Sequence, residues 1–133
     1  MIRNYETPEG TIALIDSVSV TVPVKVFTSS TTGGPIAGAV TGRTNAVTTI
    51  AFCNTAAPNA SDETANAVNV NIYVVRSGKT PTAGNLIVSS LTVPAGETVF
   101  FSEERMVLDS GDEIWVGTSS ASKLSVTVSA LAV

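Results

Sequence analysis

Residues 17–26 read Ser17-Val18-Ser19-Val20-Thr21-Val22-Pro23-Val24-Lys25-Val26, with valine at every second position. A spacing of two is the period of a β-strand, whose successive side chains point to opposite faces. Valine is β-branched and suits a pleated sheet. The stretch therefore predicts a strand over Thr11–Phe27, with one face buried and the other polar. Pro23 has no N–H to give to a ladder, so this strand belongs at a sheet edge or carries a bulge.

The same alternation recurs at Val68, Val70, Ile72 and Val74, and again at Leu124, Val126, Val128 and Ala130. Further strands are predicted at Val47–Asn54, Leu86–Val93, Thr98–Ser102, Met106–Leu108 and Glu113–Gly117. Turn chemistry separates them. Residues 28–46 form a long loop rich in Gly, Ser and Thr, with room for a short strand at Ile36–Val40. Residues 56–67 and 77–85 are polar loops. Pro94-Ala95-Gly96-Glu97, Asp109-Ser110-Gly111-Asp112 and Ser119–Ser122 are tight turns. No stretch has helical periodicity. The pattern predicts an all-β fold, an antiparallel β-sandwich, jelly-roll-like, of about eight short strands. Residues 1–10 read as an N-terminal arm with only Ile2 and Tyr5 to anchor it, and residues 11–133 as a single sandwich domain.

Composition narrows the functional classes. Hydrophobic residues make up 44% of the 133 and charged residues only 14%, against roughly 25% charged in an average soluble domain. Ser and Thr fill the deficit, at about a quarter of the chain. A surface this poor in charge suits a protein whose neighbours cover it. The net charge is −4, and the seven bases, Arg3, Lys25, Arg43, Arg76, Lys79, Arg105 and Lys123, are scattered. Nucleic-acid binding needs clustered Lys and Arg to neutralise phosphates, so none is expected. The N-terminus MIRNYETPEG lacks the apolar core of a signal peptide. No apolar run approaches the roughly 18 residues of a membrane span. The expectation is a protein made in a cytoplasm that stays soluble or assembles there, with no membrane partner.

Chemistry-bearing motifs are sparse. The chain has no histidine, which removes Ser-His-Asp, Cys-His and histidine-metal arrangements. There is no phosphate loop and no nucleophile elbow. Cys53, the lone cysteine, lies in an apolar run and is expected to be a buried structural thiol. Asp109, Asp112 and Glu113 around Gly111 have the oxygen donors of a calcium site, but their spacing is not that of an EF-hand and a hairpin turn explains them better. Glu97 and Glu103 read as a solvated rim rather than an acid–base pair, because no apolar pocket is evident to shift either one. Trp115 and Tyr73 fall inside predicted strands and are expected to pack rather than to stack on sugars. Asn59-Ala60-Ser61 fits a glycosylation acceptor, which without a signal peptide means only a polar loop. These readings call for no enzyme activity, no cofactor and no metal.

From residue 45 onward the order of steps is distinctive. Val47–Asn54 ends in Cys53-Asn54-Thr55, and Val68–Val75 follows. Then come Ser77-Gly78-Lys79-Thr80-Pro81, Asn85-Leu86-Ile87-Val88, and Val93-Pro94-Ala95-Gly96-Glu97-Thr98. Val107-Leu108, Gly111-Asp112 and a closing Val/Ser strand complete the series. This cadence resembles small β-sandwich virion structural proteins of tailed bacteriophages, cyanophages included. The resemblance covers about residues 45–133 and carries over no catalytic residue. It implies a non-enzymatic virion component that partners with itself, as a homo-oligomer, and with other virion proteins. Its place would be the tail, neck or fibre region, with capsid-surface decoration or a glycan-binding module as the alternatives. Ile2, Arg3, Tyr5 and Glu6 of the arm are the expected assembly contacts, since an extended arm can add a strand to a neighbour's sheet.

Overall fold

In β9 (Leu124–Ala132) the alternation read from the sequence becomes burial: Leu124, Val126, Val128 and Ala130 are fully buried, while Ser125, Thr127 and Ser129 between them are half-buried. The computed structural model describes residues 2–4, 19–29, 44–102 and 106–132. The other strands are β1 (Ile2–Asn4), β2 (Val24–Thr28), β3 (Asn45–Asn54), β4 (Val68–Val75), β5 (Leu86–Val93), β6 (Thr98–Phe101), β7 (Met106–Leu108) and β8 (Glu113–Thr118). One 3-10 turn, Ala83–Asn85, precedes β5. Among the described residues there is no α-helix.

The strands form two antiparallel sheets. Sheet A runs β1-β9-β3-β6, with β7 also paired to β3. Sheet B runs β2-β8-β4-β5. β6 pairs with Ile50–Cys53 and β7 with Asn45–Val47, on the side of β3 away from β9. The nine described strands thus fill eight positions, in line with the expected count of about eight.

The connectivity is that of a jelly roll. β4 pairs with β5, β3 with β6 and β7, β2 with β8, and β1 with β9. These partnerships nest, so the chain is one long hairpin whose tip is the connection 76–85. Winding that hairpin adds the β4–β8 and β3–β9 pairings and separates the two sheets. The inward faces meet in one core of Val26, Phe27, Ile50, Phe52, Ile72, Ile114, Leu124 and their neighbours. Each such side chain contributes about 1.5–3 kcal/mol by leaving water.

Two expectations change. Within the described residues, the predicted Thr11–Phe27 strand is a strand only from Val24 onward. Residues 19–23 bend, with the Val22 N–H donating to the Ser19 carbonyl at 2.9 Å, and Val22 is 55% exposed. Residues 11–18 and the loop 30–43 lie outside the described residues. The physical reason is at Pro23, which removes a ladder donor, and at Val20, whose carbonyl is held elsewhere. β2 is an edge strand with a bulge between Lys25 and Phe27, as Pro23 required. Cys53 is the second change: it is half-buried rather than fully buried and is not part of the core. It follows Phe52, whose inward side chain sends the next one outward.

Candidate functional site

Register and burial together define the outward rows of sheet A. Ile50 and Phe52 of β3 point into the core, so Ala51 and Cys53 point out. Ala51 is opposite Thr127 on one side and Phe100 on the other, and Cys53 is opposite Ser125 and Thr98. At the far end Ala46 is opposite Val107. Thr49 is opposite Ser129, and the hydroxyl of Thr48 donates to the Ser129 carbonyl at 3.2 Å. These described residues are Ala, Ser, Thr and Cys bordered by Phe100 and Val107, and none is charged. Phe100 is 63% exposed and Val107 66%.

Sheet B presents a different outer face. The segment 19–22 crosses it. The Tyr73 hydroxyl donates to the Val20 carbonyl at 2.8 Å and the Asn71 amide donates to the same oxygen at 3.4 Å. Gly117 beneath has no room for a side chain, since a Cβ there would lie 2.3 Å from the Val20 oxygen. The Asn71 Oδ1 accepts the Ser90 N–H at 2.8 Å, which fixes β5 at a residue with φ +58°. Beside this, Glu113 accepts from Lys25 Nζ at 3.3 Å and from Trp115 Nε1 at 3.2 Å. Tyr73 is buried beneath Val20, and Trp115 opposite it is half-buried on the same outer face of sheet B.

The acidic residues near Gly111 build a turn. The Asp112 N–H donates to the Asp109 carbonyl at 3.0 Å, and Gly111 takes φ +89°. Ser29 latches that turn to β2: its N–H donates to the Asp112 carbonyl at 2.8 Å and its carbonyl accepts the Gly111 N–H at 2.9 Å. The carboxylates serve separate partners. Asp112 accepts the Ser77 N–H at 3.1 Å, Asp109 stands 3.9 Å from Arg76, and Glu113 holds Lys25 and Trp115. No three potential metal ligands come together among the described residues.

An open cleft of about 440 Å³ lies between the loop 55–67 and the β5–β6 turn, lined by Pro58, Asn59, Glu63, Pro94, Ala95 and Glu97. Its walls are joined by Asn54, which is fully buried and whose Nδ2 donates to the carbonyls of Asn66 at 2.8 Å and Val93 at 3.0 Å. Glu63 and Glu97 are both exposed to solvent. Glu103, the other member of the carboxylate pair weighed with Glu97, lies outside the described residues. On the loop, the Asp62 carboxylate accepts from the Thr64 hydroxyl at 2.8 Å and from its N–H at 3.0 Å. These bonds, the hydroxyl foremost, hold the carboxyl below its usual pKa.

Of the expected assembly residues, Ile2 and Arg3 lie in β1, paired with Leu131 and Ala130 of the chain's own β9. Tyr5 and Glu6 lie outside the described residues. The outward Phe100 and Val107 were not singled out from the sequence, although a signal existed. Val99-Phe100-Phe101 and Met106-Val107-Leu108 are apolar triplets in strands, and a period of two sends the middle residue outward.

Comparison of the chain with known protein families, curated proteins and solved structures finds no match. The described outward rows of β3, β6, β7 and β9 are uncharged and bordered by the exposed Phe100 and Val107, and exposed apolar residues of this kind suit contact with another surface.

Proposed function

We propose that this chain is a non-enzymatic structural component of a tailed-phage virion, assembling through a subunit interface, with the tail, neck or fibre region as its place. The observation that carries the reading is the uncharged outer face of sheet A, bordered by the exposed Phe100 and Val107. Exposed apolar residues that cluster on one face mark contact surfaces. The jelly roll is a frequent architecture of viral shell proteins and of lectins alike, so the fold alone does not choose between them. The surface favours assembly over glycan binding. The described loops 55–67 and 76–85 carry no aromatic residue, and Trp115 is half-buried with its Nε1 donating to Glu113. The cadence of residues 45–133 supports the phage assignment.

The test is quantitative mass spectrometry of purified particles of the phage that encodes the chain. A fixed copy number per particle is expected. Immunogold labelling then separates tail, neck or fibre from capsid decoration. Recovery from infected cells but never from purified particles would overturn the reading.

A further inference from the structure

We propose that residues 19–22 are a latch on sheet B that opens locally about Pro23, and that Asn71 couples its opening to the edge strand β5 at Ser90. The latch is independent of the assembly reading above. Three features carry it.

The seat is the first. The Val20 carbonyl lies directly on the backbone of β8, where Gly117 leaves no room for a Cβ. Two side chains of β4 donate to that one oxygen, the Tyr73 hydroxyl at 2.8 Å and the Asn71 amide at 3.4 Å. Thr21 and Val22, next along, are exposed. Segments held by a few bonds near the surface belong to the least stable part of a fold. Opening also leaves the clamping side chains with partners. The Asn71 Nδ2 already donates to the Tyr73 hydroxyl at 3.4 Å, and water reaches the vacated seat. A bond is expensive to break when it strands a buried donor, and this one strands none.

The hinge is the second. The ladder of β2 begins at Val24, opposite Val116. Pro23, just before it, has no N–H to give, so its nitrogen ties the segment to no ladder. Within the segment the Val22 N–H donates to the Ser19 carbonyl at 2.9 Å. A single hydrogen-bonded turn does not hold by itself in water, so this N–H loses its protection when Val20 leaves the seat.

The relay is the third. Asn71 is buried, and its Oδ1 accepts the Ser90 N–H at 2.8 Å. Ser90 takes φ +58°, a left-handed conformation that a residue other than glycine keeps where its surroundings hold it. One amide group thus joins the latch to a strained residue of β5. When Val20 leaves, Asn71 loses a bond that fixes its orientation, and its hold on Ser90 loosens. Closed, the latch covers Tyr73 and Gly117. Open, it uncovers them beside Trp115, which lies opposite Tyr73 on the same face.

The experiment is hydrogen exchange of individual amides in the full chain, followed by NMR across sub-denaturing urea, for the wild type, Tyr73→Phe and Gly117→Ala. The Val22 amide reports the latch and the Ser90 amide the relay. The amides of Ile50 and Phe52 in β3 report global unfolding. In the wild type, Val22 and Ser90 are expected to exchange faster than the β3 amides and with a weaker dependence on urea, the mark of a local opening. Tyr73→Phe removes the shorter clamp bond and should speed both amides together, by roughly five-fold, the factor set by the net worth of one hydrogen bond. Gly117→Ala keeps both clamping side chains but blocks the seat, and should speed both by more than about ten-fold.

Val22 and Ser90 exchanging in the wild type with the urea dependence of β3 would overturn the latch. A folded variant in which Val22 speeds and Ser90 does not would overturn the coupling through Asn71. If neither amide moves in either folded variant, the seat does not hold the segment and the proposal falls. The wild-type comparison needs no substitution, so it decides the matter even where a variant fails to fold.

Discussion

Replacing Asn54 should be among the most damaging single changes to this protein, and the two simplest replacements should rank in a pH-dependent order. Asn54 is fully buried at the end of β3. Its Nδ2 donates to Asn66 and Val93 carbonyls at 2.8 and 3.0 Å, and its Oδ1 accepts the Ala56 N–H at 3.0 Å. Asn54→Ala removes all three bonds, at about 1 kcal/mol each, for a loss of about 3 kcal/mol. Asn54→Asp keeps the shape but turns two donors into lone pairs facing carbonyl oxygens. An ionised carboxylate there keeps the Ala56 N–H but is buried without a charge partner, which costs about 3–5 kcal/mol. The new carboxyl consequently holds its proton in the folded state, so its folded pKa rises above the unfolded value of about 3.9. Between those two values the folded state binds more protons than the unfolded. Stability of this variant therefore falls as pH rises through that window, by up to about 1.36 kcal/mol per unit. Urea unfolding of wild type, Asn54→Ala and Asn54→Asp at pH 7 and pH 4 measures this. The expected order at pH 7 is wild type, then Ala, then Asp, and the gap between Asp and wild type narrows at pH 4. An Asp variant as stable as wild type at pH 7, or a gap indifferent to pH, would refute the bonding assigned to Asn54.

Three further outcomes are expected. Gly117→Ala places a Cβ 2.3 Å from the Val20 oxygen, so residues 19–22 must lift from sheet B. Urea unfolding should show a cost of about 1–3 kcal/mol, more than the roughly 1 kcal/mol of Tyr73→Phe, which loses the bond to that oxygen and the long one accepted from Asn71 Nδ2. Thr64→Ala removes the hydroxyl that holds the Asp62 pKa down, so the Asp62 midpoint followed by NMR should move up towards the ordinary carboxylate value. Because that pKa is depressed, the contribution of the Asp62–Thr64 bonds is present above the unfolded pKa and lost as pH falls through the folded one. Deleting residues 1–4 uncovers the edge of β9 at Ser129, Ala130 and Leu131, and the truncated chain should aggregate faster on agitation than the full chain while keeping its unfolding free energy in urea within about 1 kcal/mol.

The sequence was most legible where one face of a strand is buried along its length. In β4 and β9 the predicted and observed elements agree closely, because alternation there reflects a sheet with a core on one side. Residues 17–22 have the same alternation without being a described strand through Val22. Period two states that side chains can alternate, not that a partner strand is present, and here Tyr73 and Asn71 take the Val20 carbonyl from any ladder. Pro94–Glu97 and Asp109–Asp112 were readable because Gly at positive φ leaves a compositional mark. Asn54 and Asn71 were not, since a buried asparagine that ties a loop looks the same in sequence as one in solvent. Nor was the outer face of sheet A visible as a surface. Ala51, Thr127 and Phe100 lie far apart in the chain and become neighbours only through strand register.

The edges of this fold bear on which surface does the assembling. A strand edge recruits a partner only where it offers a long, regular row of free N–H and C=O groups. β1 is three residues long, and β2 starts after Pro23 and carries a bulge. β5 is irregular opposite Val70–Tyr73 and takes Ser90 through φ +58°. The fourth edge is divided between β6 and β7, of four and three residues. Among the described residues these strands are short or irregular templates for strand addition, while β1 covers only Ser129–Leu131 of β9. Sheet B has its outer face crossed by residues 19–22 and charged by Lys25 and Glu113. Sheet A has the uncharged outward rows and the exposed Phe100 and Val107. An arm that adds a strand would gain most at a long open edge, and here Ile2–Asn4 already pairs with the chain's own β9. Contact with a neighbouring subunit should therefore depend on Phe100 more than on the arm, a ranking that the copy number of Phe100→Asp in purified particles, beside that of the 1–10 deletion, decides directly.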